Sequence, residues 1–323
     1  MELPAPRIID AHHHLWDLQA NHYPWLSDRV GPRMYGDYAA IRRNYLVDDL
    51  RRDIGRWPVV ASVHVQAEHD SADPERETRW LQQQADRNPG LPQAIVAYAD
   101  LSAAPAQVEA QLAAHGRHAK LRGIRQMAHQ HRVAGMAPHP DLLADPQWRD
   151  NLGLLARHGL SFDLQIFPEQ ADDACALLQR HPSLQCLLVH SGQPHDQSRD
   201  GLRRWRAALR RLATAPNLAI KLSGFGMFDR HWTQASIETL IHGAIDIFGP
   251  QRALFGSNFP VDGLMRGYDE LWTAYTAACR RYSAAERAAL FHDNAARLYR
   301  LAEPALATRP AATSPAAPSP STC

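Results

Sequence analysis

The stretch Ile8-Ile9-Asp10-Ala11-His12-His13-His14 lies near the start of the chain, and the interpretation of the fold begins there. Two apolar residues lead into a predicted strand, and His12 and His14 lie two positions apart at its end. Residues i and i+2 of a strand point to the same face, so two imidazoles are expected on one side. Paired imidazoles can hold a metal ion or polarise a carbonyl group. A histidine-rich polar turn is the alternative interpretation of these residues.

Seven further apolar runs follow this first strand, which we place near residues 7–12. The other predicted strands lie near residues 59–66, 94–100, 121–126, 161–166, 185–190, 217–223 and 252–257. Amphipathic helical segments separate them, at residues 75–88, 105–114, 145–158, 170–180, 202–213 and 236–248. Alternating strands and helices predict an α/β fold, a (β/α)₈ TIM barrel in a single domain. A doubly wound open sheet is the alternative, but no glycine-rich phosphate loop follows the first strand.

A long connection after the first strand and a biased C-terminal segment interrupt this repeat. The connection between Leu15 and Tyr45 is rich in aromatic residues, namely Trp16, Tyr23, Trp25, Tyr35 and Tyr38. Loops of this length often act as lids or binding loops, although these aromatics could also pack on the barrel rim, and we expect both roles. We predict a barrel over residues 1–302. Residues 303–323 are rich in Ala, Pro, Ser and Thr, which predicts a disordered tail.

Composition excludes several classes of partner. The chain has 323 residues, 45% of them hydrophobic, with 35 Lys and Arg against 34 Asp and Glu. This balance predicts neither nucleic-acid nor membrane binding, and no apolar run is long enough to span a bilayer. The four cysteines show no CxxC spacing, which favours a reducing cytosol over a disulfide framework. We expect a small-molecule substrate, and the oligomeric state is left open.

Polar side chains alternate with aliphatic ones along the predicted strands. Buried charges are costly, and the carboxyl ends of barrel strands build active sites. We expect Asp10, His64 and Asp163 to lie deep in the barrel in structural roles. The residues expected at the mouth are His12, His14, Gln66, Glu68, Arg125, Gln165, His190, Lys221 and Asn258.

Several of these segments together are similar to a known group. They are Asp10-Ala11-His12-His13-His14-Leu15-Trp16, Tyr23-Pro24-Trp25-Leu26, Val65-Gln66-Ala67-Glu68, Gly123-Ile124-Arg125, Val189-His190-Ser191-Gly192, Gly256-Ser257-Asn258-Phe259-Pro260 and Asn294-Ala295-Ala296-Arg297-Leu298-Tyr299. The chain resembles the amidohydrolase superfamily, in the branch that contains sugar lactonases such as L-fuconolactonase and dicarboxylate lactonases. The resemblance spans almost the whole chain up to about Leu301.

The resemblance implies a barrel hydrolase with His12, His14 and His190 as candidate ligands of one divalent metal ion, zinc above all. Two positions depart from the family pattern. Asn258 stands where the family usually carries an eighth-strand aspartate, and Gln165 stands near a position that is often histidine. An amide cannot act as a general base and is a poor metal ligand. Catalysis without a metal is therefore the second possibility.

We predict hydrolysis of a small cyclic ester, a sugar lactone or an acid lactone, by water attack on a polarised carbonyl. The predicted catalytic residues are His12, His14, His190, Lys221 and Asn258. The predicted substrate-binding residues are Gln66, Glu68, Arg125, Gln165, Trp25 and Asp262. His190, Asp262 or Glu68 would activate the water. The alternatives are a decarboxylase or hydratase of a small carboxylic acid, and a barrel that binds a small molecule without catalysis.

Overall fold

A computed structural model describes residues 6–28, 30–129 and 141–302. Eight parallel strands run in sequence order around one sheet: β1 (Ile8–His13), β2 (Val59–Val65), β3 (Ala94–Ala97), β4 (Leu121–Ile124), β5 (Ser161–Leu164), β6 (Cys186–Leu188), β7 (Leu218–Leu222) and β8 (Ala253–Phe255). The sheet closes between its two ends, since the His14 amide donates to Phe259 O at 2.8 Å and the Asn258 amide donates to His12 O at 2.7 Å. The predicted (β/α)₈ barrel is confirmed.

Helices connect the strands and cover the outside of the barrel. They are α1 (Pro24–Ser27), α2 (Val47–Ile54), α3 (Pro74–Arg87), α4 (Pro105–His115), α5 (Pro146–Arg157), α6 (Ala171–Arg180), α7 (Arg199–Leu212), α8 (Gln234–Phe248), α9 (Tyr268–Ala278), α10 (Ala284–Ala288) and α11 (Asn294–Leu298), with a π-helical turn at Ala289–Asp293. Several begin with proline, which has no amide proton to leave unpaired in the first turn. No helix in the three described ranges is both long and apolar enough to cross a membrane.

The apolar core has two parts, one between the sheet and the helices and one inside the barrel. The inner part joins Ile9 and Val63 to Leu187, Ala219 and Leu254, whose strands lie on the far side of the barrel. The predicted inward face is therefore wrong for β1 and β2. Both faces of these strands are buried, so alternation alone could not show which one faces inward.

Two of the three deep polar residues accordingly lie elsewhere. The Tyr268 hydroxyl, on α9 outside the barrel, donates to Asp10 Oδ2 at 3.1 Å. His64 Nε2 lies 3.2 Å from Leu15 O in the first connection. An irregularity in β1 between Asp10 and His13 shifts the pairing with β2. Asp163 does lie inside the barrel, as predicted. The predicted tail, residues 303–323, lies outside the described residues.

Candidate active site

A cavity of about 470 Å³ opens at the carboxyl ends of the strands. Its volume is in the range of small-molecule sites, and its position is where barrel enzymes place their active sites. Seven of the residues predicted from the sequence line it: His14, Trp25, Glu68, Arg125, Gln165, His190 and Asn258. The other four, His12, Gln66, Lys221 and Asp262, lie behind its wall.

Three histidines meet beside the cavity. The ring centre of His12 lies 5.1 Å from that of His14 and 4.6 Å from that of His190. His12 is completely buried, and both its ring nitrogens are without a hydrogen-bond partner among the described residues. A Cβ on Gly256 would lie 2.6 Å from His12 Cβ, so the close approach of β8 to β1 requires glycine there. The structure thus brings the predicted histidine cluster together.

Burial keeps these imidazoles neutral. It lowers the pKa of His12, His14 and His190 well below the usual value. The charge of Arg125 acts in the same direction on all three, and that of Lys221 on His12 and His190. His14 Nδ1 donates to the Val65 carbonyl at 2.7 Å, which leaves its Nε2 as the basic nitrogen. His190 Nδ1 lies 3.1 Å from Ser223 Oγ, and a bond from the ring to the Ser223 backbone opposes the lowering of the His190 pKa. A neutral imidazole can accept a proton from water.

Two guanidinium groups line the cavity: Arg33 is paired with Glu68, whereas Arg125 forms no ion pair with a carboxylate of the described residues. Its Nη1 donates to Gln165 Oε1 at 3.2 Å and its Nη2 to the Gln66 carbonyl at 2.5 Å. Nε is buried without a partner in the described part of the chain. Glu68 and Asp163 act on the guanidinium only through space. A buried guanidinium with a donor to spare is suited to binding an oxygen of a ligand.

Strained backbone marks the same region. Glu68, His190, Ser191 and Asn258 all have left-handed φ values, between 53° and 57°. They follow the ends of β2, β6 and β8, and three of them line the cavity. Such conformations cost about 1–3 kcal/mol each in residues other than glycine and concentrate at functional sites. The strain supports the assignment of this cavity as the active site.

Asp262 lies directly behind Asn258. The Asn258 Nδ2 donates to Asp262 Oδ1 at 3.2 Å, and the nearby backbone of Gly224 and Gly226 opposes the effect of burial on the pKa of this carboxyl group. Burial raises the pKa of Asp262 to about 7. Asp262 therefore contacts a cavity residue but does not itself line the cavity, which differs from the predicted contact with substrate.

Lys221 differs most from its prediction. Its ammonium donates to Asp163 Oδ2 at 2.5 Å, and both side chains are fully buried. The Tyr299 hydroxyl, which follows α11, donates to Asp163 Oδ1 at 3.0 Å from the other side. Lys221 thus belongs to an ion pair inside the barrel below the cavity. Gln66 also has a supporting place, because its Oε1 accepts from the Glu68 amide at 2.6 Å.

The long connection after β1 forms one wall of the cavity. Arg33 Nη1 donates to Glu68 Oε1 at 2.8 Å, and its guanidinium lies 4.8 Å from the centre of the Trp25 ring. Trp25 Nε1 donates to the Ala67 carbonyl at 2.8 Å, which ties the loop to the end of β2. Tyr35 and Tyr38 also line the cavity, whereas Trp16 and Tyr23 are fully buried. Some of the loop aromatics therefore pack in the core while others line the cavity, and a lid or binding role of the loop stays a prediction.

Several cavity residues were not predicted from the sequence. They are Arg33, Met34, Met127, His129, Met227 and Val261. Arg33 and Met34 lie in the long loop, where no strand periodicity indicates which side chains face the cavity. Their position in this loop was the only indication that they could lie near the site. Loop residues reach a barrel mouth through irregular backbone, which pattern analysis does not describe.

The pKa shifts predict acid sensitivity of the fold. Burial lowers the pKa of seven histidines, namely His12, His13, His14, His64, His69, His115 and His190. A lowered folded-state pKa contributes stability that is present above pH 6.5 and lost as the pH falls. Burial raises the pKa of three carboxyl groups to about 6 or 7, and these oppose the trend: Asp10, Glu77 and Asp262. Because the histidines outnumber them, we expect the free energy of unfolding to fall between pH 6.5 and 4.5. Urea denaturation at pH 7.5 and 5.0 measures this, and equal stability at both values would contradict it.

Similarity to known proteins shows the family of the chain. A profile described as amidohydrolase matches residues 9–301. The chain belongs to the amidohydrolase family. It is 43% identical over 296 residues to the uncharacterized protein y4mH of Sinorhizobium fredii, which covers 91% of this chain and 98% of that protein. This family assignment confirms the resemblance seen in the sequence, and the chain is a hydrolase of the amidohydrolase type.

Two further amidohydrolase relatives come from Burkholderia multivorans. L-fucono-1,5-lactonase is 34% identical over 309 residues, covering 92% of this chain and 97% of the relative. A crystal structure of an amidohydrolase with bound zinc has a TM-score of 0.75 at 33% identity, covering 91% of this chain and 99% of that chain.

Amidohydrolases often bind metal, so the predicted ligands need a separate test of fit. Three neutral imidazoles are suitable zinc donors, and His12 has two unpartnered nitrogens. However, no three His, Cys, Asp or Glu side chains within residues 6–28, 30–129 and 141–302 converge closely enough to hold an ion. Asn258 adds no carboxylate. The described residues as they lie do not fit a metal.

We therefore expect hydrolysis to survive chelation. Treatment with a strong chelator followed by gel filtration should leave more than half of the activity, because Arg125 supplies a positive charge at the cavity. Metal content before and after treatment is measured by plasma mass spectrometry. Loss of activity that added zinc restores would contradict the prediction and make His12, His14 and His190 ligands.

Proposed function

We propose that this chain hydrolyses a small lactone, a sugar lactone or an acid lactone, to the open-chain hydroxy acid. The observation that carries the proposal is the cavity that places a neutral histidine, His190, together with a buried guanidinium, Arg125. A base and an oxyanion-stabilising donor are the two groups that ester hydrolysis needs. The likeness to L-fucono-1,5-lactonase supports the choice of a cyclic ester.

The reaction needs four events at the carbonyl carbon. His190 accepts a proton as the oxygen of a water molecule bonds to that carbon. Arg125 stabilises the resulting oxyanion through its donors at the cavity wall. The ring C–O bond then breaks, and His190 returns the proton to the leaving alkoxide. One water is consumed, and one hydroxy acid is released.

The remaining cavity residues hold the substrate and the water. His14 offers Nε2 as an acceptor for a ring hydroxyl. Asn258 offers its side-chain amide to the water or the substrate. Trp25, Tyr35 and Tyr38 offer a partly apolar wall for the lactone ring. Lys221 is held by Asp163 and is assigned no step.

A lactone panel tests this function. Purified protein is offered 1,5- and 1,4-lactones of neutral sugars, including L-fucono-1,5-lactone, and lactones that carry a carboxylate. Acid release is followed with a pH indicator and corrected for spontaneous opening. Turnover of at least one member at a kcat/KM above about 10⁴ M⁻¹s⁻¹ is expected, the lower end of ordinary enzymes.

The same panel separates the alternatives. Failure with every lactone would overturn the proposed function. Carbon dioxide release from a carboxylic acid would favour a decarboxylase, and hydration of a double bond would favour a hydratase. Thermal stabilisation by a ligand without turnover would favour a binding barrel. A small-molecule partner and a cytosolic location are proposed with the enzyme. The location is supported by Cys175, Cys186 and Cys279, which form no disulfide with one another.

A further inference from the structure

Two hydrogen bonds join Asn258 and Asp262 after the end of β8. Besides the side-chain bond, the Asp262 backbone amide donates to Asn258 O at 3.1 Å. Asn258 lines the cavity, whereas Asp262 is only 3% exposed and lies behind it. Among the described residues, the hydrogen bond to Asn258 is the one that joins the Asp262 side chain to a side chain lining the cavity.

The carboxyl group of Asp262 is firmly placed. Its Oδ1 accepts from Asn258 Nδ2, while Oδ2 is buried without a partner in the ranges that the structure describes. The backbone of Gly224 and Gly226, in the connection after β7, lies close enough to oppose the rise of its pKa. A carboxyl group that is almost fully buried between two connections has little room to rotate, so it holds the amide that it binds in one direction.

This placement sets the direction of the Asn258 amide. The side-chain nitrogen Nδ2 of Asn258, and not its oxygen, faces Asp262 Oδ1 at 3.2 Å, and a carboxyl oxygen accepts from this nitrogen. The amide oxygen is then the atom left for the cavity side. No described residue donates a hydrogen bond to this oxygen.

We propose that Asp262 is a positioning residue that turns the amide oxygen of Asn258 toward the cavity, where this oxygen accepts a hydrogen bond from the attacking water. The inference rests on the proposed lactone hydrolysis. A water has two protons, one for His190 and one for Asn258. Two acceptors fix the direction of the remaining lone pair, and orientation of this kind contributes to the rate of attack.

Three variants test the pair: Asp262→Asn, Asn258→Asp, and the exchange variant that carries both substitutions. The single change at 262 leaves an amide that binds either end of Asn258, so its direction is no longer fixed. The single change at 258 places two carboxyl groups side by side. The exchange variant restores one carboxyl and one amide, with a carboxylate oxygen facing the cavity.

We expect each single variant to lose about tenfold or more in kcat with KM within threefold, and the exchange variant to recover most of the loss. Melting temperature is measured for all of them. A residue with a purely structural role would lower the melting temperature and leave kcat of the folded fraction unchanged. Unchanged kcat in Asp262→Asn, or a change in KM alone, would overturn the inference.

A second readout does not need turnover. In ¹⁵N-labelled protein the side-chain amide signal of Asn258 is identified by its absence in Asn258→Asp. We expect slow hydrogen exchange of this amide in the wild type and faster exchange in Asp262→Asn. If no lactone is turned over, the proposed function fails. The exchange rate of the Asn258 amide then still tests whether Asp262 positions Asn258. Equal exchange in both proteins would then overturn the positioning role.

Discussion

Substitution of His190 by glutamine is expected to lower kcat/KM for lactone hydrolysis by about 10²–10⁴-fold, the usual contribution of a general base. His190 lines the cavity, and burial with the charges of Arg125 and Lys221 lowers its pKa. The ring is therefore neutral, as a proton acceptor must be, but it is a weaker base than a free imidazole. Glutamine keeps polarity and a similar size but cannot take a proton at neutral pH. The loss should therefore be in kcat, with KM changed much less.

A histidine outside the site provides the control for this experiment. His242 lies on α8, and its Nε2 contacts the Ala278 carbonyl at 2.8 Å, away from the cavity. His242→Gln should retain kcat/KM within about twofold, as expected for a change away from catalytic groups. Circular dichroism and melting temperature check that both variants fold. If His190→Gln keeps more than a tenth of wild-type kcat/KM, another group activates the water.

The fold could be predicted because apolar runs and amphipathic segments recur in a fixed order. Eight short strands separated by helices specify a barrel without any knowledge of individual contacts. The side of each strand was harder to predict. On β5 and β7 the charged residues Asp163 and Lys221 do face inward. On β2 both faces are buried. Ser62 contacts His13 of β1 at 2.9 Å, and His64 contacts the Leu15 carbonyl of the first connection at 3.2 Å.

The site could be predicted in part because its polar residues follow strand ends. His14, Arg125 and His190 were expected at the mouth and line the cavity. What sequence could not give is the backbone path beyond each strand. Glu68 and Asn258 have left-handed backbone conformations, which change the direction of the chain after β2 and β8. A loop of about thirty residues brings Arg33 to the cavity. Strand periodicity carries no information about either effect.

Lys221 is the residue whose assigned role differs most between sequence and structure. Lys221→Met should lower the free energy of unfolding by about 3–5 kcal/mol, as when one partner of a buried ion pair is removed. Methionine fills a similar volume without charge. Asp163 would then be left fully buried with Tyr299 as its remaining side-chain donor. Its carboxylate would have to take a proton or remain charged without a counter-ion.

The loss should depend on pH in a defined direction. Without the ammonium, the fully buried Asp163 carboxylate has no counter-ion, and a buried charge costs more than a buried neutral acid. This cost falls on the charged form, so the destabilisation grows as the pH rises and is relieved as the pH falls. We therefore expect the difference from wild type to be larger at pH 8 than at pH 5. Urea denaturation at both values measures it.

A paired variant distinguishes the ion pair from a catalytic lysine. Lys221→Met combined with Asp163→Asn removes both charges and keeps an oxygen that can accept from Tyr299. This variant should recover most of the lost stability, because replacing a whole buried pair is often nearly neutral. Lactone turnover should follow the folded fraction in both variants. If Lys221→Met instead folds normally and loses more than about 100-fold in kcat, a loss typical of one oxyanion donor, then Lys221 polarises the carbonyl as the sequence first indicated. The ion pair with Asp163 would then open when substrate binds.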